Sequence, residues 1–253
     1  MLDREPRPGQ GPEGPSSTQA YYDEFSKAYE KHRGPNDPGG YHDLLDDLEV
    51  DFTARYAAGG DVLEVGCGTG LILHRLKDVA KTARGIDLSH GMLAKAKERG
   101  LDVQQGSVLD LPFPDASFDV TCSFKVLAHV EDIDRALREM ARVTRPTGTV
   151  IAEFYNPLSL RGLVKKFGPA GAISSLTKES AVYTRFDSPF RVPTLLPPGW
   201  SIAASRGIRI VTPAALAFRI PVVRAVLKAS EWALADSPLS IFGGFWLAAL
   251  TKR

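Results

Sequence analysis

The sequence lacks a long apolar run. No stretch approaches the roughly 18 consecutive apolar residues that a membrane-spanning helix needs, although 43% of the residues are hydrophobic. The N-terminus also lacks a positively charged segment followed by an apolar one, so no secretory signal is predicted. We therefore expect a globular chain that is not integral to a membrane.

Cysteine is scarce as well. Cys67 and Cys122 are the only two among 253 residues, and no His and Cys residues stand at the spacing of metal ligands. We therefore expect a reducing, cytoplasmic setting and no metal site.

The net charge of the chain is only +1, but its N-terminal and C-terminal parts carry net charges of opposite sign. Residues 1–153 carry 18 Lys and Arg against 26 Asp and Glu, whereas residues 154–253 carry 13 against 4. Such asymmetry is typical of an ordinary solvated face or of a surface that meets something anionic. Both interpretations stay open.

The N-terminal region divides into a tail and two helices. Residues 1–18 are dense in Pro and Gly with little to bury, so a disordered tail is predicted. Aromatic residues at helical spacing predict an amphipathic helix over 19–33. A second helix is predicted over 41–58, before two glycines.

From residue 61 onward, strand candidates alternate with helix candidates. Strands are predicted at 61–65, 83–87, 101–104, 118–123 and 149–155, and helices at 70–80, 89–99 and 132–143. This alternation predicts an α/β fold with a doubly wound parallel sheet.

The alternation ends after residue 155. Residues 156–240 are predicted to form a cap that includes a late strand near 201–211 and an apolar helix near 213–235, and residues 241–253 hold a final strand. With 59–155 as the cofactor-binding core, we expect a single domain over 19–253.

A glycine-rich turn follows the first predicted strand. The segment VLEVGCGTG, residues 62–70, places three glycines at alternate positions after an acidic residue. Bare backbone at such a turn binds nucleotides at the carboxyl end of a sheet. A dinucleotide site would need G-x-G-x-x-G, whose third glycine falls on Leu71 here. The pattern favours a ligand with a ribose and an amino acid tail but no pyrophosphate.

VLEVGCGTG resembles the first motif of class I S-adenosylmethionine-dependent methyltransferases. Three further segments agree with that family: GIDLSHGML at 85–93, QGSVLDLPFPDASFDV at 105–120 and HVEDIDRALREMARVTRPTG at 129–148. The resemblance covers about residues 19–155 and the last strand. It is nearest to the ubiquinone/menaquinone-type small-molecule methyltransferases and implies a Rossmann-like fold with S-adenosyl-L-methionine as cofactor.

The resemblance implies a set of cofactor-binding residues, with Asp87 as the acid that binds the ribose. The full set is Tyr22, Glu64, Gly66, Cys67, Gly68, Gly70, Asp87, Leu88, Met92, Ser107, Val108 and Phe124. The family's Gly-Asp-Ala is here Gly106, Ser107 and Val108, so we expect Ser107 or a backbone carbonyl to replace the usual acid.

Two residues after strand four are catalytic candidates. His129 could abstract a proton from the acceptor, or serve packing and helix entry. Lys125 could pair with an anionic acceptor or lower the pKa of a phenol, or point to solvent. Acceptor-binding candidates are Tyr155, Asn156 and Trp232.

The apolar helix near residues 212–235 leaves three interpretations open. It could be a helix packed into the core, a lid over a lipophilic acceptor, or an interfacial helix that touches anionic lipid.

These observations predict methyl transfer to oxygen or carbon of a small lipophilic or aromatic acceptor, such as a phenol, quinol or polyketide. N-methylation of an amine or lipid headgroup, a non-catalytic S-adenosylmethionine-binding module, and a nicotinamide dehydrogenase are the alternatives. No Asn-Pro-Pro-aromatic motif follows strand four, so nucleic acid and protein amides are not expected as substrates.

Overall fold

A computed structural model describes residues 17–29, 39–159 and 183–253. The predicted tail lies outside the described residues as far as residue 16. Ser17 and Thr18 already belong to a helix, so the tail prediction extends two residues too far. Residues 30–33 of the first predicted helix and residues 160–182 of the predicted cap also lie outside the described part.

The described chain forms six α-helices and seven strands. The helices are α1 (Ser17–Ser26), α2 (Tyr41–Ala57), α3 (Leu71–Leu76), α4 (His90–Glu98), α5 (Ile133–Val143) and α6 (Pro221–Ala235). The strands are β1 (Asp61–Val65), β2 (Thr82–Asp87), β3 (Asp102–Gln105), β4 (Phe118–Ser123), β5 (Thr144–Tyr155), β6 (Trp200–Ile208) and β7 (Phe245–Lys252).

All seven strands join one sheet in the order β3-β2-β1-β4-β5-β7-β6. Strands β1 to β5 pair in parallel, and β7 inserts antiparallel between β5 and β6. The doubly wound α/β fold is therefore confirmed. Because parallel strands share a direction, the ends of β1, β2, β4 and β5 meet at one edge, called the carboxyl edge below.

Hydrophobic layers cover both faces of the sheet. Successive side chains of a strand point to opposite faces, and Leu63 packs in the layer that contains α5 while Val62 packs in the layer that contains α2. Phe52 on α2 and Met140 on α5 are both fully buried. The two layers fix the strands whose ends form the site.

Several predicted boundaries shift for local reasons. Strand β5 begins at Thr144 instead of the predicted residue 149, and its pairing with β4 changes register between Thr144 and Thr149. The helix predicted over 213–235 is divided, because Pro221 begins α6 after a separate 3₁₀ turn over Ala215–Arg219. Helix α1 ends at Ser26 and α3 at Leu76, both shorter than predicted.

Candidate functional site

A cavity of about 810 Å³ opens at the carboxyl edge beneath α1. It brings together most of the residues predicted from the sequence. These are Tyr22, Glu64, Gly66, Cys67, Gly68, Asp87, Leu88, Met92, Ser107, Val108, Phe124, Lys125, His129 and Tyr155.

The glycine loop between β1 and α3 has a backbone conformation that only glycine adopts readily. Gly66 and Gly68 have φ of +75° and +54°, in the left-handed region. A Cβ on Gly66 would lie 2.2 Å from Val126, whereas a Cβ on Gly68 would meet no atom within 4 Å. Gly66 is therefore required by packing, and Gly68 faces open space where a ligand can approach the backbone.

Asp87 ends β2 and links the loop to the cavity. Its carboxylate accepts hydrogen bonds from the N–H of Gly68 at 2.8 Å and of Ser89 at 2.9 Å. Burial raises the pKa of Asp87, and these backbone bonds act against that rise. Because a carboxylate has about four lone-pair sites, the group can still accept from a diol such as a ribose.

Glu64 lies on β1 beside the loop and is 3% exposed. Its Oε2 has no hydrogen-bond partner within the described part of the chain. Burial, and then the negative charge of Glu49, raises the pKa of Glu64. A buried carboxyl oxygen without a partner at a cavity wall is suited to a polar or cationic ligand group.

Helix α1 closes one side of the cavity, and Asp23 attaches it there. The Asp23 carboxylate accepts from Ser89 Oγ at 2.6 Å and from Gly91 N at 3.0 Å, at the start of α4. From the same helix Tyr22 lines the cavity, and burial raises its pKa to about 12. Its hydroxyl therefore stays protonated and can donate a hydrogen bond.

Ser107 stands where the family has an acid, and its hydroxyl is used locally. Ser107 Oγ accepts from Leu109 N at 3.2 Å. Met92, Val108 and Phe124 supply apolar surface to the same cavity. This part of the site therefore fits the flat, apolar face of a base better than a charged group.

Lys125 follows β4 at φ +59°, and its side chain, 28% exposed, turns to a fully buried carboxylate. Its ammonium is hydrogen-bonded to Glu49 on α2, and its backbone N–H donates to Glu153 at 3.1 Å. Burial opposes the charged form, but Glu49 and Glu153 outweigh it and raise the pKa of Lys125. Lys125 is thus a cation already balanced by carboxylates.

His129 ends the short 3₁₀ turn after β4 and lines the cavity. Its Nδ1 lies 2.9 Å from the carbonyl oxygen of Tyr183. Since a carbonyl only accepts, Nδ1 is the donor, and in the neutral ring Nε2 then has the lone pair. The ring also packs edge-on against Tyr155 at 5.7 Å.

Three predicted site residues lie away from the lining. Gly70 begins α3, where a Cβ would lie 2.2 Å from Leu101, so its role is packing. Asn156 is buried and donates to the carbonyls of Ile241 and Gly243. Trp232 stands over the guanidinium of Arg206 at 5.7 Å. Asn156 and Trp232 therefore contact other parts of the protein. Neither lines the cavity, so their predicted contacts with the acceptor have no support from its geometry.

Other residues of the site were not predicted. Three of them are carboxylates: Asp23, Glu49 and Glu153. Each is hydrogen-bonded to a partner that is 28 to 76 positions away in the chain, so local sequence does not reveal the contact. Tyr183 contributes through its backbone carbonyl, for which no sequence signal exists. The aromatic spacing over residues 19–33 was the signal that could have identified Tyr29, which also lines the cavity.

Two further findings concern the described residues as a group. None of the helices in the described ranges has the length and apolar character needed to cross a membrane. In the same part of the chain, no group of three His, Cys, Asp or Glu side chains is arranged to hold a metal ion.

The sheet order, the open glycine loop and the carboxylate after β2 together agree with the class I methyltransferase fold that the resemblance implies. The residues fit S-adenosylmethionine: Gly68 leaves backbone open, Asp87 can accept from the ribose, and Glu64 offers an unpaired buried oxygen for the amino acid end.

Comparison with known proteins agrees. Residues 63–152 match the family described as a methyltransferase domain. Over residues 63–152 the comparisons therefore confirm the resemblance found in the sequence to S-adenosylmethionine-dependent methyltransferases, and they indicate S-adenosyl-L-methionine as the cofactor.

Two relatives and one solved structure illustrate the similarity. A phosphatidylethanolamine N-methyltransferase of Cereibacter sphaeroides is 44% identical over 38% of this chain and 50% of its own length. A demethylmenaquinone methyltransferase of Mycobacterium marinum is 43% identical over 42% of this chain and 46% of its own. A Thermotoga maritima structure, described as a possible histamine N-methyltransferase, shares the fold with TM-score 0.62 and 21% identity, covering 94% of this chain and 99% of that one. The chain spans about half the length of the two curated relatives.

Proposed function

We propose that the chain transfers a methyl group from S-adenosylmethionine to oxygen or carbon of a small lipophilic or aromatic acceptor. The observation that carries the proposal is His129, whose Nδ1 is held by a backbone carbonyl inside an aromatic-walled cavity. S-adenosylmethionine, when bound, supplies an electrophilic methyl group. The protein aligns the acceptor and removes the proton of its reacting group.

The shape and polarity of the cavity support an aromatic acceptor. Six aromatic side chains share its wall with the cofactor residues: Tyr22, Phe25, Tyr29, Phe124, Tyr155 and Tyr183. Aromatic rings favour flat apolar ligands in offset or edge-on contact. A phenol or quinol fits such a wall.

Proton removal is the step for which the site has a suitable group. A phenol or a carbon acid holds a proton at neutral pH, so its methylation gains from a general base. The Tyr183 carbonyl fixes the tautomer of His129 and leaves Nε2 able to accept that proton. Lys125 lines the same cavity, but its charge is balanced by Glu49, which weakens the case for pairing with an anionic acceptor.

An amine acceptor is the second candidate, favoured by the charge of the lining. The cavity wall includes the carboxyl groups of Glu64, Asp87, Glu131 and Asp132, and Lys125 is the one lysine or arginine in the lining among the described residues. Carboxylates and aromatic faces both attract cations. This candidate needs no general base, since amines lose their protons readily.

The two candidates are separated by measuring S-adenosylhomocysteine release with panels of phenols, quinols and amines. For a phenolic acceptor, His129→Gln should lower kcat by about 10² to 10⁴ because general-base catalysis contributes that much. His74→Gln, on the exposed side of α3, is the matched control and should retain full activity.

A loss confined to His129→Gln with phenols supports O- or C-methylation. Activity on amines alone, unaffected by His129→Gln, would assign the site to N-methylation instead. Binding of S-adenosylmethionine without turnover across both panels would favour a non-catalytic module.

A further inference from the structure

The outward face of α6 is apolar. Its exposed positions Val222, Val226, Ala229 and Ala233 recur at helical spacing and form one stripe. Val222 is 74% exposed and Val226 is 59% exposed. The opposite side packs inward, with Glu231 and Ala235 buried. Amphipathic helices normally turn the apolar stripe to the core, so this outward stripe needs another apolar environment.

The residues just before α6 extend the stripe. Leu216 and Ile220 are 65% and 57% exposed. Of the twelve large apolar side chains that are exposed in the described ranges, six lie between residues 216 and 232. Such clustering marks an interaction surface rather than scattered exposure. Leu216, Ile220, Val222 and Val226 are called the apolar face below.

The apolar face lies on the cavity side of the sheet. Strand β6 ends opposite Phe245, which also pairs with Tyr155 at the carboxyl edge. The segment that follows β6 contains Phe218. Its ring centroid lies 5.7 Å from that of Tyr41, the first residue of α2.

The segment that carries the apolar face has exposed charges of one sign. The only acids between residues 183 and 235 are Asp187 and Glu231, and both are buried, at 2% and 1% exposure. Asp187 pairs with Arg185 at 2.7 Å. Glu231 accepts from the backbone N–H groups of Ile210, Val211 and Thr212. The charged residues between 215 and 230, Arg219, Arg224 and Lys228, are all basic.

We propose that the apolar face docks the protein on an anionic lipid bilayer, with the cavity side toward the lipid. An exposed apolar helix face with nearby basic residues inserts at the boundary between headgroups and acyl chains, and anionic lipid attracts the arginines. A second copy of the chain fits less well, because a two-fold contact would bring the basic side chains of both copies into one interface. The proposal stands independently of the methyl acceptor.

Vesicle flotation with the full chain tests this surface. Vesicles of phosphatidylcholine mixed with phosphatidylglycerol should bind about thirtyfold more protein than phosphatidylcholine alone, as expected for two basic residues near the surface. Val222→Asp should reduce that binding about tenfold or more. Val79→Asp is the matched control, since Val79 is 36% exposed and precedes β2 at the opposite sheet edge.

Equal vesicle binding by the parent and Val222→Asp would overturn the proposal. So would a parent dimer that Val222→Asp dissociates, seen by light scattering, without any vesicle binding. If circular dichroism shows that Val222→Asp is unfolded, the pair Val222→Ser and Val226→Ser replaces it, with the same expected loss of binding.

Discussion

Asp87 has a structural task in addition to the ligand contact expected of it. Its carboxylate accepts hydrogen bonds from the N–H groups of Gly68 and Ser89. One side chain therefore joins the glycine loop to the start of α4. Ligand recognition and loop geometry are therefore coupled at this residue. A substitution affects both the hydrogen bonds to the cofactor and the position of the backbone that meets it.

Asp87→Ala should weaken S-adenosylmethionine binding by at least about tenfold. Hydrogen bonds to a charged group contribute about 1.5 to 3 kcal/mol each, and water replaces part of that. Isothermal calorimetry measures the change. Asp102→Ala is the control, because Asp102 pairs with Arg84 on the exposed end of β3. Equal affinities in both variants would remove Asp87 from the site.

Gly68→Val tests whether the open space at the loop is ligand space. Gly59 offers a matched position: it also has a positive φ, at +69°, and a Cβ placed there would also meet no atom within 4 Å. Both valines suffer the same backbone strain, so both lower stability. Only Gly68→Val should abolish cofactor binding; a comparable loss in Gly59→Val would show that strain alone is responsible.

At the scale of elements, α1 covers one side of the cavity. Asp23 on α1 accepts hydrogen bonds from Ser89 and Gly91. A Cβ on Gly91 would lie 2.3 Å from Ser26 Oγ, so the two helices approach closely at this glycine. The close approach of α1 to α4 therefore depends on a glycine and one carboxylate. An element attached in this way can open to admit ligands.

Asp23→Ala should loosen α1 and lower cofactor affinity about threefold to tenfold, because two hydrogen bonds to a carboxylate are lost and water replaces most of their contribution. Hydrogen exchange of the α1 amides should accelerate while the sheet stays protected. Glu24→Ala is the neighbouring control, since Glu24 forms an exposed pair with Lys27. Unchanged exchange in Asp23→Ala would mean that other contacts fix the helix.

At the scale of the whole molecule, buried carboxyls beneath the cavity couple folding to pH. Burial, and then the charge of Glu49, raises the pKa of Glu153 well above its ordinary value of 4.5. The folded state therefore keeps a proton that the unfolded state releases. Stability is highest below about pH 4.5 for this group and falls as pH rises toward the folded pKa.

Glu153→Gln should make the unfolding free energy less dependent on pH between about 5 and 8. One proton corresponds to a slope of at most about 1.4 kcal/mol per pH unit, and the amide keeps an acceptor for Lys125 N. Urea titrations at several pH values measure the slope. Glu98→Gln, exposed at the end of α4, should keep the parent slope; an identical slope in Glu153→Gln would contradict the assignment.

Local sequence is enough to specify the sheet and the cofactor side of the site. Strands β1 and β4 lie where the apolar runs predicted them, and VLEVGCGTG and Asp87 lie together at the carboxyl edge. These features are local: a strand, a turn and the residue that ends the next strand are close in sequence. Parallel winding then brings them to one edge without further information.

Long-range packing, in contrast, selects which side chains reach the acceptor cavity. Lys125 meets Glu49, which lies 76 positions away, and Trp232 turns to Arg206 instead of the cavity. The apolar stripe of α6 faces outward although its pattern would equally suit a core helix. Periodicity shows that a helix has an apolar side, but the direction of that side depends on packing between residues far apart in the chain.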